Sequence, residues 1–257
     1  MGKITAIANQ KGGVGKTTSA INIAASLAAS EKRVLLVDAD PQGNSTSGIG
    51  IDKERLSGSL YDLFTETKKI EEIILDTNID HLKIIASNIE LIGAELELAG
   101  KEGREMILKK SLEPVVHQFD YVLIDCPPSL SLLTLNALVA AESLLIPMQC
   151  EYYALEGISM LLRTYELIKN SFNPALKIEG ILLTMYDGRN SLAIQVTDEL
   201  RKHFGDKVYQ TVIPRNVTLA EAPSHGKPVI YYDIRSKGAQ SYLELAKEII
   251  SNETRAW

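Results

Sequence analysis

Two cysteines, one tryptophan and no long apolar run set the first limits on this 257-residue chain. Nowhere does the sequence approach the roughly 18 consecutive apolar residues needed to span a bilayer. Cys126 and Cys150 are the only thiols. Both close apolar runs that read as buried strands, so reduced core residues are expected rather than a disulfide. No Cys-x-x-Cys occurs, which excludes a metal centre built on cysteine pairs. Neither sign of charge dominates strongly. The net charge is −6, which by itself argues against nucleic acid as a partner. The charge is uneven, however: residues 1–176 carry −7 and residues 177–257 carry +1, and a neutral C-terminal third has room for a local basic patch. Linkers, repeats and low-complexity stretches are also missing, so one domain over 1–257 is expected. The first apolar run begins almost at the N-terminus and leaves no room for a signal peptide, which implies a cytoplasmic location.

What is present is the composition of a chain with a large core: 45% hydrophobic and 23% charged residues. Ile4–Ala8 forms a first apolar-leaning run. Val34–Val37, Tyr121–Ile124, Leu144–Ile146 and Gly180–Leu183 are continuous apolar runs without alternation, the pattern of parallel strands covered on both faces. Between them, apolar residues recur at helical spacing: Ala20 to Ala29, Leu132 to Val139, and Leu155 to Tyr165. Alternating strands and helices predict an α/β fold, a doubly wound and mostly parallel sheet with helices on both faces. Residues 50–110 are less regular. Helix-like pieces are expected at Leu60–Phe64, Ile70–Leu75 and Ile89–Leu98, with a strand near Leu82–Ile85. A last helix, Gly238 to Ile250, is expected to end in a short polar tail.

In such sheets ligands sit beyond the C-terminal ends of the strands, so the residues there carry the argument. Lys11-Gly12-Gly13-Val14-Gly15-Lys16-Thr17-Thr18 lies between the first strand and a helix. Its glycines let successive N–H groups curl around one anion, and the new helix adds unpaired N–H groups and the positive end of its dipole. That is a phosphate-binding loop: Lys16 would reach the β- and γ-phosphates of a nucleotide and the Thr17 hydroxyl would hold Mg²⁺. The usual pattern places a first glycine where Gln10 stands. Here the loop opens instead with a second lysine, Lys11.

Val34–Val37 delivers Asp38 and Asp40 to the same rim. Asp40 could orient a water for attack on the γ-phosphate or accept its proton; Asp38 is better placed to hold the loop or the metal's water shell. Asp40-Pro41 and Gln42-Gly43-Asn44 also favour a plain turn. Asp125, closing the strand Tyr121–Ile124, has the arrangement in which an aspartate helps to hold Mg²⁺. Farther on, Thr184–Asn190 and Val212–Asn216, the latter opening an irregular segment through Pro228, either border the base of a nucleotide or merely connect elements.

Taken together these motifs resemble the ParA/Soj family, in the deviant-Walker (MinD-like) group of P-loop ATPases. The match runs end to end through Lys11–Thr18, Asp38–Asn44, Ile124–Ser129, Tyr186–Arg189, Ile213–Asn216 and Ala222–Pro228. The resemblance implies ATP and Mg²⁺ as cofactors, a homodimer when ATP is bound, and Lys11 crossing to the partner's nucleotide. It further implies that Gly12 lies where two subunits meet, and that Asp40 serves hydrolysis beside Lys11 and Lys16. Thr17, Asp40 and Asp125 would hold the metal, the carboxylates through water, and Pro214, Arg215 and Asn216 would lie near the adenine. The family binds double-stranded DNA without sequence preference, is stimulated by a ParB-type protein, and segregates chromosomes or plasmids. Candidate DNA contacts are Arg189, Arg201, Lys202, Lys227, Arg235 and Lys237. MinD-type relatives instead end in an amphipathic membrane-targeting helix; the slightly acidic C-terminus here, with Trp257 alone, does not match that pattern, so no membrane partner is expected.

Overall fold

Seven strands carry the architecture of the computed structural model, which describes residues 2–151 and 154–255. In chain order the elements begin with β1 (Lys3–Ile7), α1 (Lys16–Ala28), β2 (Val34–Asp38), α2 (Asn44–Gly48), α3 (Leu60–Phe64), β3 (Ile74–Asp76) and β4 (Leu82–Ile85). There follow α4 (Leu91–Glu97), α5 (Ile107–Leu112), β5 (Tyr121–Asp125), α6 (Leu132–Ala140) and β6 (Ser143–Gln149). The chain continues with α7 (Ala154–Ser171), β7 (Lys177–Thr184), α8 (Ser191–Phe204), α9 (Val217–Glu221), α10 (Val229–Tyr232) and α11 (Lys237–Arg255). The sheet order is β3-β4-β2-β5-β1-β6-β7, and only β3 runs antiparallel to its neighbour. Val208–Pro214 continues beside β7 as an irregular edge: Tyr209 and Ile213 N–H groups donate to Ile181 and Leu183 carbonyls at 3.0 and 2.8 Å.

The sheet is buried on both faces, which is why its central strands are continuously apolar. One face packs under α3–α8 through Leu35, Val37, Val122, Ile124 and Ile146. The other packs under α1, α10 and α11 through Val34, Leu36, Leu123 and Leu145. Successive residues of one strand thus serve opposite cores, as the two-residue side-chain period requires. The doubly wound, mostly parallel fold expected from the sequence is what forms.

Two local expectations are corrected. Ile70–Leu75 is not helical: a 3₁₀ turn over Ile70–Glu72 leads into β3, whose Ile74 and Leu75 pair with Ile85 and Ile84. The polar tail is also helical, because α11 runs on to Arg255. There Glu253 accepts hydrogen bonds from Lys3 at 2.9 Å and from the Tyr121 hydroxyl at 2.6 Å, which fastens the helix end to the sheet. Trp257 lies outside the described residues. Among the described residues no helix is long and apolar enough to cross a membrane.

β1 sits between β5 and β6, so the chain leaves it toward β2 on one side and later fills the other side with β6 and β7. The crevice beyond β1 is therefore the place where connections diverge, and the glycine-rich loop opens into it.

Candidate nucleotide site

The loop's conformation follows from two glycines. Gly13 and Gly15 have φ of +72° and +85°, left-handed values that cost any other residue about 1–2 kcal/mol. Gly15 is the N-cap of α1, and the Ser19 N–H donates to its carbonyl at 2.8 Å. The N–H groups of Lys16, Thr17 and Thr18, one helical turn, have no carbonyl within the helix to bond and are available to an anion. Thr184, at the end of β7, donates its hydroxyl to the Val14 carbonyl at 2.7 Å and so clamps the loop from the far strand.

Lys16 is buried, and its ammonium donates to the Lys11 carbonyl at 3.2 Å. Burial lowers its pKa, while the nearby Asp125, Cys126 and Asp40 pull it back up. Asp125 is adjacent because β1, β5 and β2 are neighbours: Ile7 and Asp38 both pair with Asp125 in the ladder. Asp38 and Asp125 are fully buried, and burial raises the pKa of each; repulsion from Asp40 adds to the rise at Asp38, and repulsion from Asp38 and Asp40 adds to it at Asp125.

The two buried carboxylates are used differently. Asp38 Oδ2 accepts from the Thr46 N–H at 2.8 Å and the Thr46 hydroxyl at 2.7 Å, and Oδ1 accepts from the Asp40 N–H at 3.3 Å. Both oxygens are thereby engaged by the turn and by α2. Asp125 Oδ2 accepts from the Ser45 hydroxyl at 2.8 Å, whereas Oδ1 is buried without a hydrogen-bond partner. An orphaned, buried carboxylate oxygen beside a second buried carboxylate fits a divalent cation, since an unpaired buried acceptor otherwise costs about 1–3 kcal/mol. The Thr17 hydroxyl also bears on Asp125. Asp40, nearly buried, keeps Oδ1 on the Gln42 N–H at 2.9 Å.

Two cavities meet at this loop. One of ≈ 400 Å³ is lined by Gly12, Lys16, Thr17, Asp40, Asn44 and Pro128, among others. The second, ≈ 410 Å³ and mostly apolar, is lined by Ile213, Pro214, Arg215, Asn216, Leu219 and Tyr242. Gly15, Thr18 and Met185 border both, so the cavities adjoin at the start of α1. Pro214 bridges Tyr186 through the sheet edge, and the Asn216 side chain caps α9 by accepting from the Leu219 N–H at 3.3 Å.

The outward side of the loop differs in kind. A Cβ added at Gly12 would meet nothing within 4 Å, and the residue's φ is not in the left-handed region. Lys11 is 47% exposed and pairs with Glu151 at 2.5 Å. Among the described residues nothing requires glycine at position 12.

The six basic candidates are all exposed. Lys227 lies between α9 and α10, Arg235 between α10 and α11, and Lys237 opens α11. Arg189 carries a bidentate pair with Asp187, at 2.9 and 2.8 Å, which holds the Asp187 carboxyl down at about 2. Arg201 and Lys202 occupy the last turn of α8, and Arg201 is roughly 15 Å of helix rise from its first residue, Ser191.

Comparison with known proteins adds the family. A family model described as an AAA domain matches residues 2–178. Over 252 residues the chain is 57% identical to the sporulation initiation inhibitor protein Soj of Bacillus subtilis (strain 168), covering 98% of this chain and all of that one. It is 52% identical to the chromosome partitioning protein ParA of Myxococcus xanthus (strain DK1622), covering 99% of this chain and 90% of that one. The chain belongs to the ParA/Soj family. A solved structure described as cobyrinic acid a,c-diamide synthase from Mycobacterium smegmatis, with bound ADP and magnesium, superposes with a TM-score of 0.87 at 36% identity. That match covers all of this chain and 97% of the other.

Some contributors to this ParA/Soj site carry no signal in the sequence. Tyr242 comes from the last helix, and its hydroxyl bonds the Ser19 hydroxyl at 3.1 Å. Met185, within the Thr184–Asn190 segment, has φ +49° and meets the Gln149 amide through its sulfur. Ser45 follows the aspartate turn and was reachable only as its neighbour.

Proposed function

We propose that this ParA/Soj-family chain is an ATPase switch that dimerises on binding ATP and Mg²⁺ and then binds DNA without sequence preference. A ParB-type partner stimulates hydrolysis and release, so that a chromosome or plasmid is moved or positioned. The observation that carries this reading is the two-sided loop. Lys16 and Thr17 line the cavity with Asp125 buried behind them, whereas Lys11 is half exposed and Gly12, at the cavity rim, has open space in which nothing among the described residues calls for a glycine.

The phosphates occupy the cavity under Gly12–Thr18 and the adenine takes the apolar cavity beside Pro214–Asn216, so that one nucleotide spans both. The N–H groups opening α1 and the Lys16 ammonium neutralise phosphate oxygens. Thr17 would hold Mg²⁺, with Asp40 and Asp125 acting through water; when bound, the ion would draw negative charge off the phosphates. Asp40 positions the attacking water and takes its proton, giving ADP and phosphate. Lys11 brings positive charge to the nucleotide of the facing subunit, in the manner of an arginine finger. Gly12 permits that close approach. In the dimer the basic candidates Arg189, Arg201, Lys202, Lys227, Arg235 and Lys237 are present twice, which turns weak patches into a multivalent surface for the DNA backbone.

A membrane-cycling role of the MinD type is the alternative. The fastening of the α11 end by Lys3 and Tyr121 weighs against it, because a membrane helix must come free. Co-sedimentation with DNA and with anionic liposomes, each with ATP and Mg²⁺, separates the two. Pelleting with DNA and not with liposomes is expected; the reverse pattern selects the alternative. Lys16→Ala is expected to pellet with neither.

A further inference from the structure

The charged group that the proposed mechanism leaves unused is Glu151. It stands two residues beyond β6, its N–H donating to the Gln149 carbonyl at 3.0 Å, and its carboxylate holds the Lys11 ammonium at 2.5 Å. The same strand end touches the loop again, where the Gln149 amide donates to the Gly13 carbonyl at 2.8 Å. From α7 the Thr164 hydroxyl accepts from the Gln10 amide at 3.0 Å. The entry of the loop is thus held at three points. Two are neutral and fix its course; the third takes up its outward charge.

We infer that Glu151 is a positioning residue that parks Lys11 on its own subunit and so sets the threshold at which two subunits join. This rests on the reading that Lys11 serves the nucleotide of a facing subunit. An ammonium engaged by Glu151 is withheld from a phosphate across an interface, so each subunit must break this pair on dimerising. Both partners are about half exposed, 47% and 49%. Pairs of that kind are worth about twofold to fivefold in an equilibrium constant. Two are broken per dimer, so the combined effect on dimer association is about fourfold to twenty-fivefold. The pairing also keeps Lys11 from attracting stray anions before a nucleotide-loaded partner arrives.

The test is sedimentation of the full chain across protein concentration with a non-hydrolysable ATP analogue and Mg²⁺. Glu151→Gln is expected to lower the dimer dissociation constant about fourfold to twenty-fivefold, and Glu151→Asp, which keeps the charge, to stay closer to the parent. The gap between parent and Glu151→Gln should shrink at about 0.5 M salt, since exposed pairs are screened; a packing effect would persist. An unchanged or weaker Glu151→Gln dimer, with the parent dimerising normally, overturns the inference and leaves the dimer mechanism standing. A parent chain that does not dimerise with the analogue removes both.

Discussion

Gly12 and Gly15 lie three residues apart and are glycines for different physical reasons. Gly15 needs its hydrogen side chain because its backbone is left-handed; Gly12 has ordinary φ and open space. Gly15→Ala is expected to cost about 1–2 kcal/mol and to lower Tm by several degrees. Gly12→Val should leave Tm within about a degree of the parent, bind ATP, and fail to dimerise. Calorimetric melting and light scattering check both, and a strongly destabilised Gly12→Val protein would count against an outward role for that position. Lys16→Ala should weaken ATP binding by at least about tenfold in titration calorimetry, because it removes a charge-assisted hydrogen bond. Such residues were legible in the sequence, since the strand, loop and helix that place them are contiguous. The partners of Asp38 were not legible, for the opposite reason. Whether a carboxylate is free depends on what folds over it, and here Thr46 takes one oxygen and the turn takes the other.

Among the elements, α11 does more than its amphipathic pattern implies. Leu245 fills the core beneath it, Tyr242 reaches the apolar cavity, and Glu253 ties down its end. Glu248 accepts from the N–H groups of Gln210 and Thr211 at 2.8 and 2.9 Å, which steadies the segment leading to Pro214. Leu245→Ala is expected to cost about 2–5 kcal/mol in denaturant unfolding. Glu248→Ala should cost about 1–3 kcal/mol and weaken nucleotide binding, whereas an unaltered affinity would mean that the cavity wall stands without this tie. The central strands could be read directly because burial on both faces leaves continuous apolar runs. β3 could not: three residues show no period, and Ile74 and Leu75 suit a helix equally well. The polar end of α11 was likewise opaque, because Glu253 is held by Lys3 and Tyr121, residues far off in the sequence.

On the scale of the whole molecule, the family and fold give a partitioning ATPase, and the two-sided loop supplies the reason it would act as a pair. With a net charge of −6, the DNA binding proposed for this chain should be weak for one subunit, and pairing and low salt should both strengthen it. Replacing Lys227 and Arg235 together by alanine should flatten the salt dependence of DNA binding, by about 0.9 in log–log slope for each DNA phosphate that is no longer neutralised. The central claim is that ATP assembles two subunits around the loop, and Asp40→Ala isolates that step by removing the carboxylate proposed to serve hydrolysis. Light scattering of Asp40→Ala with ATP and Mg²⁺ should give the mass of a dimer, near twice 28.2 kDa, and with ADP the mass of a single chain. A protein that binds ATP and yet remains a single chain in that measurement would contradict the account.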